Sequence, residues 1–357
     1  MFTVPTDPID TPALLIDMTA LEHNIKTMND FLAGKSIKLR PHFKTIKIPE
    51  IAQMLIAAGA KGLTCAKLSE AEVLADAGIE DILIANEIVA PGKIDRLAAL
   101  AGHIKHMAVA VESVQNVQQL SSACERAGTT LNILVELDVG MDRCGVRTYE
   151  QGYTVARAAH DAPNLIFEGI QAYEGHLVLN PEMQVRKDGV KELINKVGEF
   201  KAYLENHGIP VKEISGGGTG TFDLTGAGDL YTELQTGSYV YMDTKYDLLG
   251  LPFKHSMYLL SMVISRQAEF VILDAGLKSV AVDNGNPEVV GFENNKIKLS
   301  EEHFRIWDSE GKLDICDTVL IIPSHSCTNI NLHDIAYGIR NGKIERIFEI
   351  KGRGKCQ

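Results

Sequence analysis

The chain has 357 residues, of which 45% are hydrophobic, and this is enough for one large domain and a smaller one with buried cores. Its formal net charge is −12 and the sequence shows no basic face, so nucleic-acid binding is not expected. No apolar run has membrane-spanning length, the start has no secretory signal, and the six cysteines form no CxxC pair. Together these features predict a cytoplasmic protein.

Short apolar strands alternate with amphipathic helices from about residue 18 onward. The first predicted helix covers 18–34, where Leu21, Ile25 and Met28 recur at helical spacing. Parallel strands joined by helices form either a doubly wound sheet or a closed barrel, and eight units over roughly 230 residues favour the barrel. No GxGxxG follows an early strand, which weakens the dinucleotide-binding alternative. The predicted strands are 36–44, 61–67, 81–87, 105–113, 131–140, 165–175, 211–220 and 230–243.

After residue 250 the pattern changes to alternating segments that are punctuated by turns and lack intervening helices. This pattern predicts an antiparallel β domain, to which the N-terminal segment 12–17 adds a strand. The predicted fold class is therefore α/β, a (β/α)8 TIM-type barrel with a second, mainly antiparallel β domain. The predicted barrel covers residues 16–247, and the β domain covers 1–15 and 248–357.

Lys44 ends the first predicted strand, where the cationic residues Lys38, Arg40, His42 and Lys44 alternate with apolar ones. This alternation predicts that the cations point into the barrel, partly offset by Glu136 and Asp138 of the fifth strand. Barrel active sites lie at the carboxyl ends of the strands. Neighbouring cations lower the pKa of an amine, so Lys44 is a candidate for Schiff-base chemistry, although a solvated lysine at a strand end fits the same pattern.

Glycine-rich turns end the seventh and eighth predicted strands, and barrels often bind phosphate at these two positions. Glycines let backbone N–H groups approach phosphate oxygens, and hydroxyl side chains add donors. A lysine on the first strand that faces such turns predicts a phosphorylated aldehyde cofactor. The candidate phosphate ligands are Gly217, Gly218, Thr219, Gly237, Ser238 and Tyr239.

Polar residues at the ends of the fifth and sixth strands are further candidates. Arg143 is a candidate partner for an anion or a phenolate oxygen, while Gln171 and Tyr173 share a face of their strand. Tyr173 could flank the cofactor. His176 is a candidate acid or base because its intrinsic pKa is near neutral, although a lone histidine at such a position is more often structural.

The β domain contains His325 and Cys327 in the segment PSHSCTN, and both point to the same side if that segment is extended. Thiolate and imidazole together favour zinc or another borderline metal over magnesium and calcium. HxC alone is a weak pattern. A metal held by two protein ligands would leave open positions for water and substrate.

Several ordered motifs give the chain a resemblance to a known family over nearly its whole length. They are RPHFK (40–44), ELDVGMDRCGV (136–146), QAYEGH (171–176), GGGTGT (216–221), ELQTGSYVYMD (233–243) and SHSC (324–327). The chain resembles the D-threonine aldolase and D-serine dehydratase group, which is related to alanine racemase. The resemblance implies a fold-type III enzyme that carries pyridoxal 5'-phosphate on Lys44 and a divalent metal on His325 and Cys327, and that forms a homodimer.

The metal pair divides this group. Aldolase-type members resemble HxD, which suits manganese or magnesium, whereas dehydratase-type members resemble HxC, a zinc site. Cys327 therefore favours Zn²⁺, with Mn²⁺ as the alternative, and predicts a lyase that eliminates water from a D-3-hydroxy amino acid such as D-serine or D-3-hydroxyaspartate. Retro-aldol cleavage of the D-threonine aldolase type is the alternative function. An amino-acid racemase and a non-catalytic cofactor carrier are more distant alternatives.

Overall fold

The computed structural model describes residues 2–357, which form two compact units. The barrel unit comprises residues 29–44, 49–237 and 355–357. The β unit comprises the residues up to 28 together with 45–48 and 238–354. The domain boundaries proposed from the sequence, at residues 15/16 and 247/248, remain predictions.

Strands and helices alternate through the barrel unit, and strands predominate after residue 250. The strands are β1 (Ala13–Asp17), β2 (Lys38–Leu39), β3 (Leu63–Cys65), β4 (Asp81–Glu87), β5 (His106–Val111), β6 (Leu131–Glu136), β7 (Leu165–Ala172), β8 (Glu213–Gly216), β9 (Glu233–Leu234), β10 (Met257–Arg266), β11 (Phe270–Leu273), β12 (Glu288–Val289), β13 (Ile297–Leu299), β14 (Phe304–Trp307), β15 (Thr318–Ile322), β16 (Ile335–Arg340) and β17 (Lys343–Glu349). The helices are α1 (Met18–Leu32), α2 (Phe43–Ile46), α3 (Pro49–Ala57), α4 (Leu68–Asp76), α5 (Pro91–Ala101), α6 (Val114–Ala127), α7 (Tyr149–Asp161), α8 (Met183–Asn206), α9 (Phe222–Thr225), α10 (Thr244–Asp247) and α11 (Ser326–Ile330), and a 3₁₀ helix covers Ser238–Val240.

Eight parallel strands form the barrel unit in the order β2-β9-β8-β7-β6-β5-β4-β3. The two ends of this sheet meet through backbone hydrogen bonds from Lys61 N to Leu39 O (2.8 Å) and from Thr64 N to Pro41 O (2.9 Å). Strands such as β5 and β6 are almost entirely buried, as expected where helices cover a parallel sheet. The fold class predicted from the sequence, a (β/α)8-like barrel with a mainly antiparallel β domain, is confirmed.

Local sequence explains where the covering helices begin and end. Ser113 precedes α6, and its hydroxyl accepts a hydrogen bond from the Asn116 N–H; Gly128 ends the helix at φ 66°. Thr148 caps α7 in the same way through the Gln151 N–H. These residues set where α6 and α7 begin and where α6 ends.

A network of buried charges lies inside the barrel around Arg40. Its guanidinium donates to Glu233 (2.9 Å) and to Asp81 (2.6 Å), and His106 bridges Asp81 (2.7 Å) and Glu168 (3.0 Å). Lys61 pairs with Glu233 from another side. Glu136 and Asp138 were predicted to offset the cations of the first strand. For Arg40 this prediction is wrong, because Arg40 pairs with Glu233 and with Asp81 at the amino end of β4.

The β unit contains a sheet of order β13-β14-β11-β10-β1-β16-β17, and β15 pairs with both β10 and β12. All pairs are antiparallel except β1 with β16. The predicted contribution of the N-terminal segment is confirmed, because β1 lies between β10 and β16. Leu259, Val271, Phe304 and Ile321 are fully buried in the larger core of this unit.

Two predicted strands keep only two residues each in the structure. The strand expected at 36–44 comprises Lys38 and Leu39, and Lys44 lies in the short helix α2. Pro41 has no N–H to donate to a ladder, so a regular strand does not continue through it. The strand expected at 230–243 ends at Leu234, before the 3₁₀ helix. Lys38 is exposed, so the cations of this segment do not share one environment.

The segment around Cys327 is helical and not extended as predicted. His325 precedes the short helix α11, and its carbonyl accepts a hydrogen bond from Asn329 N (3.0 Å). Cys327 lies in the first turn of that helix. Its position relative to His325 is therefore set by a helical turn.

Candidate active site

The ring of Tyr173 brings together three of the residues proposed from the sequence. Lys44 Nζ lies 5.6 Å from the centre of this ring, and Arg143 Cζ lies 5.8 Å from it. Tyr173 follows β7, while Arg143 belongs to the loop after β6. The backbone N–H of Lys44 donates to Nδ1 of His42 (3.3 Å) and fixes the turn that carries the lysine. An amine, a guanidinium and an aromatic ring therefore meet within the barrel unit.

Gln171 lies deeper, in a buried layer of hydrogen bonds. It exchanges hydrogen bonds with Gln235, at 2.6 Å and 3.3 Å, and Gln235 also donates to the Ser215 hydroxyl (2.6 Å). Ser215 in turn donates to Glu233 (2.6 Å), which joins this layer to the charge network around Arg40. Sequence reasoning missed Gln235, although its spacing of two residues from Glu233 places both on one face of an extended segment. The proposed cofactor contact of Gln171 remains a prediction.

Glycine is required in the loop after β8 for steric reasons. Gly217 has φ 82°, which favours glycine, and a Cβ on Gly218 would collide with the side chain of Val178. The N–H of Gly217 donates to Glu174 (3.1 Å), and the N–H of Gly218 points to the hydroxyl of Thr221 (3.3 Å). The loop is thus fixed by contacts with its own residues and with Glu174, and Thr219 within it is buried.

The turn after β9 contains a buried hydroxyl with no partner. Thr236 is fully buried, and its Oγ1 has no hydrogen-bond partner among residues 2–357. Its carbonyl accepts the N–H of His42 (3.2 Å), which fixes the backbone immediately before Gly237. Buried polar atoms are normally hydrogen-bonded, so Thr236 Oγ1 indicates a place for an external acceptor or donor.

Ser238 and Tyr239 lie in the 3₁₀ helix of the β unit. The Ser238 hydroxyl is 3.8 Å from Cys327 Sγ, and the Tyr239 ring packs 5.3 Å from that of Phe253. Burial raises the pKa of Tyr239 well above its usual value, so its phenol stays neutral. Their predicted contacts with a phosphate group remain predictions.

His325 and Cys327 share a polar cluster with two residues that the sequence did not single out. His325 Nδ1 lies 2.6 Å from Asp283 Oδ2, and Cys327 Sγ lies 2.9 Å from the hydroxyl of Thr45. Thr328 donates to the other oxygen of Asp283 (2.6 Å). Burial opposes protonation of His325, but Cys327 and Asp283 together raise its pKa to about 9. The Asp283 contact occupies Nδ1 and leaves Nε2 as the ring nitrogen for a ligand bond.

His176 lines a cavity whose lining includes neither Lys44, Arg143 nor Tyr173. Its side chain is exposed, and it lines a cavity of about 570 Å³ together with Gly140, Leu177 and Lys196. A Cβ on Gly140 would lie 3.1 Å from the imidazole, so glycine leaves room for the ring. The acid–base role proposed for His176 remains a prediction.

Three carboxyl groups and a thiol, none proposed as a site from the sequence, meet at the carboxyl ends of β4, β5 and β6. Ligand atoms of Glu87, Glu112 and Cys144 all lie within 4.8 Å of one another. Burial, followed by the charge of Glu87, raises the pKa of Glu136, whose carboxyl lies 3.8 Å from Arg143 Nη2. Burial and Glu87 also raise the pKa of Cys144 to about 11, which keeps it a neutral thiol. The sequence could have indicated this cluster, because an acidic residue lies at or next to the carboxyl end of each of these three successive strands.

A lysine beside an aromatic ring in a parallel barrel, together with a separate β unit, defines the class of alanine racemase-like enzymes. The chain belongs to that family: its residues 16–245 match the model described as "Alanine racemase, N-terminal domain", and residues 256–339 match the "Putative serine dehydratase domain". Enzymes of this family use pyridoxal phosphate. The resemblance found in the sequence, and the prediction of a pyridoxal-phosphate-dependent lyase, are confirmed.

Individual relatives are similar over nearly the full length. The chain is 39% identical to a 3-hydroxy-D-aspartate aldolase of Paracoccus denitrificans (strain Pd 1222), over 97% of this chain and 93% of the relative. The crystal structure of D-threonine aldolase from Filomicrobium marinum superposes with a TM-score of 0.96 at 34% identity, covering 99% and 98% of the two chains. A D-threo-3-hydroxyaspartate dehydratase of Delftia sp. (strain HT23) is 29% identical over 78% of this chain and 74% of its own length.

Within residues 2–357, each helix is too short or too polar to cross a bilayer.

Proposed function

We propose that this protein cleaves D-3-hydroxy amino acids to glycine and an aldehyde, with pyridoxal phosphate held by Lys44 and a divalent metal held by His325 and Cys327. The observation that carries the proposal is the position of the Lys44 amine against the Tyr173 ring in a chain of this family. Two aldolase relatives that align over almost their whole length favour cleavage over elimination. Elimination was the function preferred from the sequence, and it becomes the second candidate.

The residues around Tyr173 suit the cofactor. The Lys44 amine would hold its aldehyde carbon, Tyr173 offers an aromatic surface, and the loop from Gly217 to Thr221 would receive its phosphate. The unpartnered hydroxyl of Thr236, beside Gly237, supports this assignment because a phosphate oxygen would satisfy it. When bound, pyridoxal phosphate serves as an electron sink for the carbon next to the substrate nitrogen.

The cluster around His325 suits a metal ion of the zinc type. An imidazole and a thiol are the donors that zinc prefers, and manganese is the alternative that the family resemblance implies. Asp283 would orient the imidazole, as carboxylates commonly do for histidine ligands of metals. A metal bound to these residues would supply Lewis-acid chemistry at the hydroxyl group of the substrate.

The chain's own residues must move two protons during cleavage. A base removes the proton of the β-hydroxyl, the Cα–Cβ bond breaks, and its electron pair remains on Cα while the aldehyde leaves. Exchange of the substrate amine for Lys44 on the cofactor would free Nζ of Lys44 and pass it a proton of the substrate ammonium group. Nζ would then deliver this proton to Cα, and its return to the cofactor would release glycine. His176 is the proposed base for the hydroxyl proton. Arg143, whose side chain contacts both Tyr173 and Glu136, would bind an anionic oxygen of the substrate or cofactor.

Elimination of water is the second candidate function, and Cys327 is the observation that favours it. The sequence resemblance associates HxC with dehydratases, and one relative is a dehydratase. In this reaction Nζ of Lys44 would remove the proton from Cα, and the β-hydroxyl would leave as water. The resulting enamine would tautomerise to an imine and take up water, which gives a 2-oxo acid and ammonia. With either function, we propose that the protein forms the homodimer that the sequence resemblance implies.

Product analysis separates these functions. Purified protein is incubated with pyridoxal phosphate and either Zn²⁺ or Mn²⁺, and with D-threonine, D-3-hydroxyaspartate or D-serine; the L-isomers and a chelator-treated sample serve as controls. We expect glycine together with acetaldehyde or glyoxylate, and loss of activity on chelation. A 2-oxo acid with ammonia would replace the proposal by elimination. Interconversion of D- and L-isomers would indicate a racemase, and cofactor absorbance without turnover would indicate a carrier.

A further inference from the structure

Glu174 is a fully buried carboxylate that contacts the glycine loop Gly217–Thr221. Its Oε2 accepts the N–H of Gly217 (3.1 Å), and its Oε1 accepts the hydroxyls of Thr221 (2.7 Å) and Thr225 (2.6 Å). No cation pairs with it among residues 2–357. A buried carboxylate is costly unless it is well hydrogen-bonded, so these three donors hold Glu174 and the loop in one arrangement.

Arg186 contacts the other end of the same loop. This residue of α8 is 1% exposed, and its Nη1 donates to the carbonyl of Gly220 (2.8 Å). Its Nε has no hydrogen-bond partner, and no carboxylate pairs with the guanidinium, within residues 2–357. Two buried groups of opposite charge therefore contact both ends of a five-residue loop that includes three glycines. Glycine-rich backbone loses much conformational freedom on folding, so such anchors determine whether the loop is ordered.

We propose that Glu174 and Arg186 are positioning residues that hold the loop Gly217–Thr221 in the shape that receives the phosphate group of the cofactor. This inference rests on the proposed function. Neither residue needs to touch the phosphate, because each acts through the loop. Ordering the loop before binding lowers the entropic cost of binding the phosphate, whereas it leaves the aldehyde and ring contacts unchanged.

The direction in which phosphate affinity changes when Glu174 is neutralised distinguishes a positioning role from simple electrostatic repulsion. A carboxylate near a phosphate dianion repels it, so neutralising Glu174 would tighten phosphate binding if charge alone mattered. If Glu174 acts by positioning the loop, neutralising it should instead weaken phosphate binding. Glu174→Gln keeps Oε1 as the acceptor for Thr221 and Thr225, but it turns an NH₂ group toward the N–H of Gly217 and so releases the start of the loop.

The test compares two ligands that differ only in the phosphate group. Apoprotein is titrated with pyridoxal phosphate and with pyridoxal, and the dissociation constants are measured by absorbance for the wild type, Glu174→Gln and Arg186→Met. We expect both variants to bind pyridoxal phosphate roughly tenfold or more weakly, the effect of leaving one buried polar group unsatisfied. Pyridoxal binding should stay within about twofold of the wild type, since a change below about 0.4 kcal/mol is expected there.

Glu70→Gln is the matched control, since Glu70 is also buried and accepts the backbone N–H groups of Ala66 and Lys67 after a different strand. It should not change the ratio of the two dissociation constants. Thr225→Val removes a single hydrogen bond to Glu174 and leaves the residues of the loop unchanged, so it serves as the mild variant if the others do not fold. Tighter binding of pyridoxal phosphate by Glu174→Gln, or an equal loss for both ligands, would overturn the inference. Failure of the wild type to bind either ligand would instead refute the proposed function.

Discussion

The hydroxyl of Thr45 lies 2.9 Å from Sγ of Cys327. Thr45 is buried and directly follows Lys44 in the chain. One turn of backbone therefore carries the amine proposed to hold the cofactor and a hydroxyl that contacts a proposed metal ligand. The contact joins residues 45 and 327 within the β unit.

Thr45→Val should weaken metal binding. A hydroxyl that donates to a thiolate stabilises the charged form, and the loss of such outer contacts typically costs about 10- to 100-fold in metal affinity. Zinc affinity is measured by competition with a chromophoric chelator. Thr45→Ser retains the hydroxyl and should bind zinc like the wild type. Equal affinities for the valine and serine variants would show that the contact does not support a metal ligand.

Asp283→Asn should also weaken metal binding while leaving the cofactor in place. The carboxylate accepts from His325 and Thr328, and an amide would hold the imidazole less firmly and make it less basic. We expect zinc affinity to fall by about 10-fold or more, with unchanged cofactor absorbance. The measurements are bound zinc by mass spectrometry of metals and the absorbance spectrum. A parallel loss of cofactor would mean that the residue supports the fold of the site as a whole.

Arg40→Leu should strongly destabilise the barrel. Arg40 is buried against Glu233 and Asp81, and removing one partner of a buried ion pair costs about 3–5 kcal/mol because uncompensated charge remains. The free energy of unfolding is measured by urea titration. Arg126→Leu is the control, since its pair with Asp95 is 62% and 60% exposed and should contribute about 1 kcal/mol or less. Similar losses for both variants would contradict a buried network.

The stabilising effect of His106 should disappear at high pH. Hydrogen bonds to Asp81 and then to Glu168 raise its pKa to about 9 in the folded protein, against an ordinary value of 6.5. The folded state therefore binds the proton more tightly, so the contribution is complete below about pH 6.5 and is lost as the pH rises through about 9. We expect His106→Gln to cost about 2 kcal/mol near pH 6 and almost nothing above about pH 10.

Urea unfolding of the wild type and the variant at several pH values measures this difference. His103→Gln provides the control, since it replaces an exposed histidine outside this network of ion pairs. A cost of His106→Gln that stays constant from acid to alkaline pH would mean that packing, and not the ion pairs, explains the role of this histidine.

Much of the architecture could be predicted because the sequence repeats a simple pattern. Helix α1 was expected at 18–34 and occurs at Met18–Leu32, since apolar residues at helical spacing mark it. The strand–helix alternation gave the barrel, and the change of pattern after residue 250 gave the β unit. Local patterns are sufficient where each element buries one continuous face.

The details of the site were harder to predict, because they depend on contacts between distant parts of the chain. Arg40 forms ion pairs with Asp81 and Glu233, and no pattern in the sequence around these residues identifies either of them as its partner. Asp283 and Thr45 join His325 and Cys327 only through tertiary structure. The extended geometry assumed for HxC failed because the segment forms a helical turn, which short polar sequences indicate poorly.

Covalent mapping of the cofactor lysine tests the central claim most directly. The protein is loaded with pyridoxal phosphate, reduced with borohydride and digested, and the peptides are analysed by mass spectrometry. We predict a phosphopyridoxyl group on Lys44, its absence in Lys44→Ala, and its retention in Lys38→Ala, which removes an exposed lysine of the same segment. A modified lysine elsewhere in the chain, or no modified peptide in the wild type, would contradict the account.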